Sequence, residues 1–201
     1  MRLLPCGELA LLVECEEGQV APVVSALSGL DAEVVPAART VLVRVGTAAE
    51  LPGARRRVAG LLDRPLPPVP SATAERTVTL PVVYDGEDLR EVAALTGLSA
   101  DAVVAAHTAR PWRVAFSGFA PGFAYLDGGD PRLVVPRRAT PRTSVPAGSV
   151  GLAGQYSGIY PRSSPGGWQL IGHTTVNLWE LERTPPALLR PGWWVQFEEV
   201  R

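Results

Sequence analysis

Five arginines stand where no carboxylate does. From Pro131 to Trp179 there is no Asp or Glu, while Arg132, Arg137, Arg138, Arg142 and Arg162 are present. A guanidinium is a planar fork of donors that matches a carboxylate or phosphate in bidentate fashion. The surrounding stretch, Phe116 to Thr174, holds more than half of the chain's glycines. Glycine lets backbone N–H groups approach an anion. Together these residues predict a pocket for a small anion. The alternative puts each arginine singly on the solvated face of a Gly/Pro-rich barrel. His173, in Gly172-His173-Thr174, is one of only two histidines. It is a candidate general acid/base or anion donor, against the alternative of a strand-end histidine bonded to backbone. We take Arg138, Arg142 and His173 as ligand-binding groups. Phe119, Phe123 and Tyr125 are candidate pocket walls, or else core rings.

Other chemistries find less support. Two histidines and no HExxH pattern predict no metal site. The nearest match to a nucleophile elbow, Ala147-Gly148-Ser149-Val150-Gly151, has its first glycine displaced. Gly118 to Gly122 lacks the GxGxxG spacing of a dinucleotide fold. The chain has no lysine, all 19 basic residues being arginine, which excludes a Schiff-base lysine and a P-loop. His107, at a helix end, reads as a capping or dipole-complementing residue. Asp85, Glu87 and Asp88 read as a solvated helix start rather than a magnesium site.

The elements that must position these groups follow from pattern. Leu9 to Val13, Glu33 to Val35 and Thr40 to Val45 read as strands. Val20 to Leu30 and Ala48 to Leu62 read as helices, with Pro52 in a first turn. The order β, α, β, β, α suits a small two-layer sandwich. Four prolines between Pro65 and Pro70 form a stiff connector. We place a domain boundary there, giving 1–70 and 71–201, and expect protease cleavage near Ser71 to Glu75. Beyond it, Thr77 to Val83, Trp112 to Phe116, Thr175 to Leu181 and Trp193 to Phe197 read as strands. Helices are expected at Asp88 to Leu95, closed by Gly97, and at Ala100 to Thr108, capped by Ser99. Many short strands with few helices predict a barrel.

Composition narrows the function. A net charge of -1 argues against nucleic acid. No apolar run is long enough to span a bilayer, and Pro5, Glu8 and Glu14 interrupt any signal-peptide core. The expected location is the cytoplasm, with Cys6 and Cys15 as reduced thiols.

At several blocks the sequence resembles a known family. They are Gly7 to Glu14, Pro81 to Leu89, Gly118 to Leu126, Asp130 to Leu133, Pro136 to Arg138, Thr140 to Arg142, Val145 to Gly151, Ser164 to Trp168 and Pro191-Gly192. The family is the B subunit of prokaryotic 5-oxoprolinase, also labelled allophanate hydrolase subunit 1, which includes the sporulation kinase inhibitor KipI. The resemblance runs nearly the whole chain. It implies an α+β protein: a small ferredoxin-like N-terminal sandwich plus a C-terminal cyclophilin-like β-barrel. It implies a C-type subunit and an A-type (LamB/YcsF-like) subunit as partners. The complex would open 5-oxoproline to glutamate using ATP, with Mg, by phosphorylation of the lactam oxygen and hydrolytic opening. Arg138, Arg142 and His173 would be catalytic, and Arg137, Tyr125, Gln155, Ser164 and Phe119 would bind substrate. Two departures stand out. Gln155-Tyr156-Ser157 replaces the usual Asn-Gln-Thr, and the titratable His173 stands where arginine is frequent. The alternatives are a KipI-like inhibitor of a histidine kinase and a related amide-cleaving subunit of allophanate-hydrolase type.

Overall fold

The computed structural model describes every residue except Glu17, Pro70, Ser71, Ala74 and Glu75. The end of the proline connector and most of the expected cleavage region therefore lie outside the described residues. The chain divides into two compact units, Met1–Ser71 and Ala72–Arg201.

The first unit contains β1 (Arg2–Cys6), β2 (Ala10–Glu14), α1 (Val20–Leu27), β3 (Glu33–Pro36), β4 (Thr40–Arg44) and α2 (Leu51–Leu62). Val41 and Val43 are fully buried while Arg44 is exposed, the period-two signature of a strand covered on one face. They pack with Leu11 and Val13 against Val23 and Leu27 of α1 and Val58 of α2. The sheet order is β1-β2-β4-β3, antiparallel throughout. This leaves β2 and β3 parallel with β4 between them, the split βαβ arrangement of ferredoxin-like sheets. The fourth strand comes from β1, ahead of that arrangement. Sequence pattern missed β1 because it contains Pro5. An edge strand tolerates the missing N–H. The two thiols are free and stand at opposite ends of the β1–β2 hairpin, Cys6 paired with Ala10 and Cys15 just past the Arg2–Glu14 pair.

The second unit contains β5 (Thr77–Val82), α3 (Leu89–Thr96), α4 (Ala100–Thr108), β6 (Trp112–Ser117), β7 (Ala124–Asp127), β8 (Arg142–Val145), β9 (Ser149–Ala153), β10 (Tyr156–Ile159), β11 (Ser164–Gly166), β12 (Gln169–His173) and β13 (Trp194–Glu199). Seven strands form one sheet in the order β12-β9-β10-β7-β6-β13-β5, and β8 pairs with β11 in a separate ribbon. Residues just past β5 return to β12 and nearly close the sheet into a barrel. Val83 and His173 exchange two backbone hydrogen bonds of 2.9 Å, and the N–H groups of Gly86 and Asp88 donate to the carbonyls of Ile171 and Leu170. This seam requires glycine on both sides. A Cβ on Gly86 would strike the Ile171–Gly172 backbone, and one on Gly172 would strike the Val83 carbonyl.

Leu80, Val82, Trp112, Val114, Leu126, Val150, Leu152, Ile171 and Phe197 fill the barrel, with Val92 of α3 and Val103 of α4. A second cluster gathers Val145 of β8 with Phe123, Ala153, Tyr160, Trp168 and Leu170. β9 feeds both clusters and is buried along its whole length. Gly97, in the left-handed conformation, closes α3, and the Ser99 hydroxyl accepts from the Ala102 N–H to cap α4. One expected strand is absent: Thr175 to Leu181 is irregular apart from a single bridge between Trp179 and Ala187. The side chains of Thr174 and Asn177 accept from the N–H groups of Val176 and Trp179, local bonds that compete with a ladder. Among the described residues no helix is long and apolar enough to cross a membrane.

Candidate functional site

The seam carries the first charged cluster. Asp88 is only 3% exposed, so this member of the acidic turn is not solvated, whereas Asp85 and Glu87 are. Leaving the end of β5, the chain must return along β12, and this drives the residue before α3 inward. Asp88 Oδ1 accepts from Arg138 Nη1 at 2.6 Å and Arg142 Nη2 at 2.8 Å, and Oδ2 accepts from the Leu170 N–H at 2.7 Å. Burial pushes the Asp88 carboxyl up. The Arg142 and Leu170 hydrogen bonds and the charges of Arg142 and Arg138 outweigh it and hold the group below its ordinary value. Arg142 also reaches the exposed Glu87 at 3.1 Å. Farther along, His173 Nδ1 lies 2.8 Å from Asp85 Oδ1, both side chains well exposed.

His107 is fully buried and neutral, not a helix-end cation. Burial pushes its pKa down to about 3. Its ring bridges the Tyr84 hydroxyl at 2.7 Å and the Ser157 hydroxyl at 2.8 Å and stacks on Phe197. It belongs to the barrel core.

The second cluster is a pocket of 110 Å³ lined by Phe119, Phe123, Tyr125, Arg137, Tyr160, Trp168 and the Pro165-Gly166-Gly167 turn. Its rings meet edge to face: Phe123 to Trp168 at 5.4 Å, Tyr125 to Trp168 at 5.6 Å and Phe119 to Phe123 at 5.2 Å. Burial pushes the Tyr160 phenol up, so it stays a neutral hydroxyl. Among the described residues no carboxylate pairs with Arg137, whereas Arg132, Arg138 and Arg142 are all paired. The Arg138 N–H donates to the Gly167 carbonyl at 2.8 Å, which ties this arm to the pocket floor.

The structure thus brings Phe119, Tyr125 and Arg137 together and gathers Arg138 with Arg142 on Asp88. Gln155 is exposed in the β9–β10 turn. Ser164 sits in β11 opposite Val145, its hydroxyl donating to the Arg162 carbonyl. Neither lines the pocket. Sequence reading missed Asp88 as the arginine anchor and Tyr160 and Trp168 as walls. The available signal was that a carboxylate-free, arginine-rich stretch needs its counter-charge from elsewhere in the chain. Larger depressions, of 270 and 430 Å³, lie on the N-terminal unit and contain none of the candidate catalytic or substrate-binding residues. Among the described residues no group of three His, Cys, Asp or Glu is placed to hold a metal.

The pocket does not fit a nucleotide. It is well below the roughly 300 Å³ of an ordinary small-molecule site. The nearby carboxylates Asp85, Glu87 and Asp88 are engaged by His173, Arg142 and Arg138 rather than grouped for magnesium.

The profile of the family described as carboxyltransferase domain, subdomain C and D, matches residues 1–189. The chain belongs to this family. Among its relatives, the B subunit of 5-oxoprolinase from Bacillus subtilis (strain 168) is 48% identical over 128 residues, 62% of this chain and 53% of that protein. The chain spans little more than half the length of the curated relatives it matches. The crystal structure of TTHA0988 superposes on 96% of this chain and 40% of its own, with a TM-score of 0.75 at 37% identity. That of PH0987 from Pyrococcus horikoshii covers 99% of this chain and 97% of its own, with a TM-score of 0.61 at 33% identity.

Proposed function

We propose that this chain is the B-type subunit of an ATP-dependent 5-oxoprolinase complex and contributes the substrate-binding half of a site completed by a C-type subunit, with an A-type subunit in the assembly. The similarity to the B subunits of 5-oxoprolinases is the observation that carries the reaction class. The net chemistry adds water across the lactam C–N bond of 5-oxoproline, giving the new carboxylate and the free amine of glutamate. A nucleotide is too large for the aromatic pocket and is held outside it in the assembly. Here the residues bind and orient. Arg137 meets the substrate carboxylate, the aromatic walls exclude water, and Arg138 and Arg142 hold the pocket's arm on Asp88. His173, exposed on the seam, is the group offered to a partner's half as a proton carrier. The two units fold independently and act in the cytoplasm, in keeping with two free thiols.

The test is to reconstitute this chain alone, with a C-type subunit, and with both C- and A-type subunits, and to follow glutamate formation from 5-oxoproline with ATP. Turnover is expected from the full set alone. Robust turnover by the isolated chain would sink the shared site. An inert full set, with tight binding to a histidine kinase, would make the chain a regulator. Limited proteolysis between Ser71 and Glu75 should release two stable fragments.

A further inference from the structure

We infer that the open face of the N-terminal sheet is the surface on which two copies of this chain associate, packed face to face about a two-fold axis that runs across the strands. The surface belongs wholly to the first unit. It contains none of the residues assigned to substrate, and it is independent of the proposed reaction.

Strand register puts four aliphatic side chains in one row. Leu4 is opposite Leu12, Leu12 opposite Leu42 and Leu42 opposite Val35, so the row crosses all four strands. Residues directly opposite on neighbouring strands share a face, and successive residues alternate between faces. The other face carries Leu11, Val13, Val41 and Val43, which pack on α1 and α2. Leu4, Leu12, Leu42 and Val35 belong to none of the hydrophobic cores formed by the described residues. Val35 is 40% exposed and the three leucines are half-buried. Single exposed leucines are ordinary on a soluble protein. A contiguous row of four in register on a sheet, rimmed by charge, marks a contact surface.

The flanks of the row choose the occupant. On one side Arg2 pairs with Glu14 at 3.1 Å, and on the other Arg44 pairs with Glu33 at 3.3 Å. Both signs stand on each flank, which does not suit an anionic lipid surface, since that selects a basic face. A second copy fits. A two-fold axis along the row lays Leu12 on Leu12 and Leu42 on Leu42 of the copy. It also reverses the flanks. Each Glu14 then comes one strand away from Arg44 of the copy, and no like charges are opposed. Arg2, Glu14 and Thr40 also line the depression of 430 Å³, which leaves room on that flank for the incoming arginine. Pairing through the sheet edges is blocked instead, because Pro5 withholds an N–H from β1 and Pro36 ends β3. Strand spacing and rise give the face a footprint of roughly 19 by 17 Å per copy. Two such faces make an interface at the small end of the specific range, so the dimer is a reversible one.

The experiment is sedimentation velocity on the full chain over about 5 to 500 µM, a range that spans a weak specific dimer. The average mass should rise from that of one chain toward that of two. L42K sets a charge in the middle of the row and should weaken association at least about ten-fold. Its melting midpoint should stay near wild type, because Leu42 packs in no core. A charge swap tests the geometry without touching the row. E14R and R44E should each weaken association by roughly three- to ten-fold, and the E14R/R44E double variant should regain it. A residue serving only the fold of one copy would give no such rescue. R57A, an exposed arginine of α2 on the other side of the sheet, should leave association unchanged. A wild-type chain that stays monomeric at every concentration would overturn the inference. So would association indifferent to L42K, or a charge swap without rescue. A C-type subunit that binds the wild-type chain but not L42K would also overturn it, since the face would then belong to that partner.

Discussion

Arg137 and Arg138 are adjacent in sequence and opposite in circumstance. Arg138 points into the seam, where it shares the buried Asp88 with Arg142. Arg137 points the other way, exposed, onto a wall of aromatic rings and with no carboxylate partner among the described residues. One charge helps to hold the barrel closed; the other is the one assigned above, as a proposal, to the substrate carboxylate. Residue type alone does not mark a binding arginine; what matters is whether the fold has already supplied its counter-ion. A guanidinium locked on a buried carboxylate has spent its attraction, and moving it would leave an unpaired charge in the interior.

The largest expected effect falls on the seam. Asp88→Ala leaves two arginines without their anchor and the Leu170 N–H without an acceptor, and should lower unfolding free energy by about 3–5 kcal/mol in urea titrations. A loss under about 1 kcal/mol would erase the contrast between the two regions.

Next is acid sensitivity. His107 is buried neutral with a pKa near 3, below its ordinary 6.5. The unfolded chain therefore takes up a proton that the folded chain refuses, and stability should fall as pH drops from about 6.5 toward 3, by up to about 1.4 kcal/mol per pH unit. His107→Gln should flatten that slope, measured as the urea midpoint against pH. Asp88 adds a second loss at lower pH. Its folded pKa lies below the ordinary 3.8, so its contribution is present above that value and disappears as pH falls through the folded pKa. Both groups belong to the seam and the core, and so does the acid response.

Smaller again is Arg142→Ala, which removes one of three donors on Asp88 and should cost roughly 1–3 kcal/mol. His173→Ala breaks an exposed pair and should cost no more than about 1 kcal/mol. Arg137→Ala should move the melting midpoint least, within about 0.5 kcal/mol of wild type. Equal destabilisation by Arg137→Ala and Arg142→Ala would show that both arginines serve the fold.

Much of the fold was legible in the sequence because it rests on local chemistry. Alternating Val41 and Val43, the Ser99 cap and the Gly97 stop each act within a few residues, and each marks its element. Where local pattern misled, a longer-range or side-chain effect prevailed. Edge position made room for Pro5 in β1, and backbone N–H groups donating to the Thr174 and Asn177 side chains compete with the strand expected at Thr175 to Leu181.

By itself the sequence determined that arginines and glycines would crowd one stretch, that this stretch would fold as short strands and turns, and that its counter-charge must lie outside it. Which arginine would be paired and which left free was decided only in three dimensions. Asp88 is 50 residues from Arg138 along the chain. It reaches Arg138 and Arg142 because two facing glycines, Gly86 and Gly172, let the return strand lie flat against β12. An ion pair depends on separations of a few ångströms and on exclusion of water. Barrel closure sets both, and no local stretch of sequence encodes them.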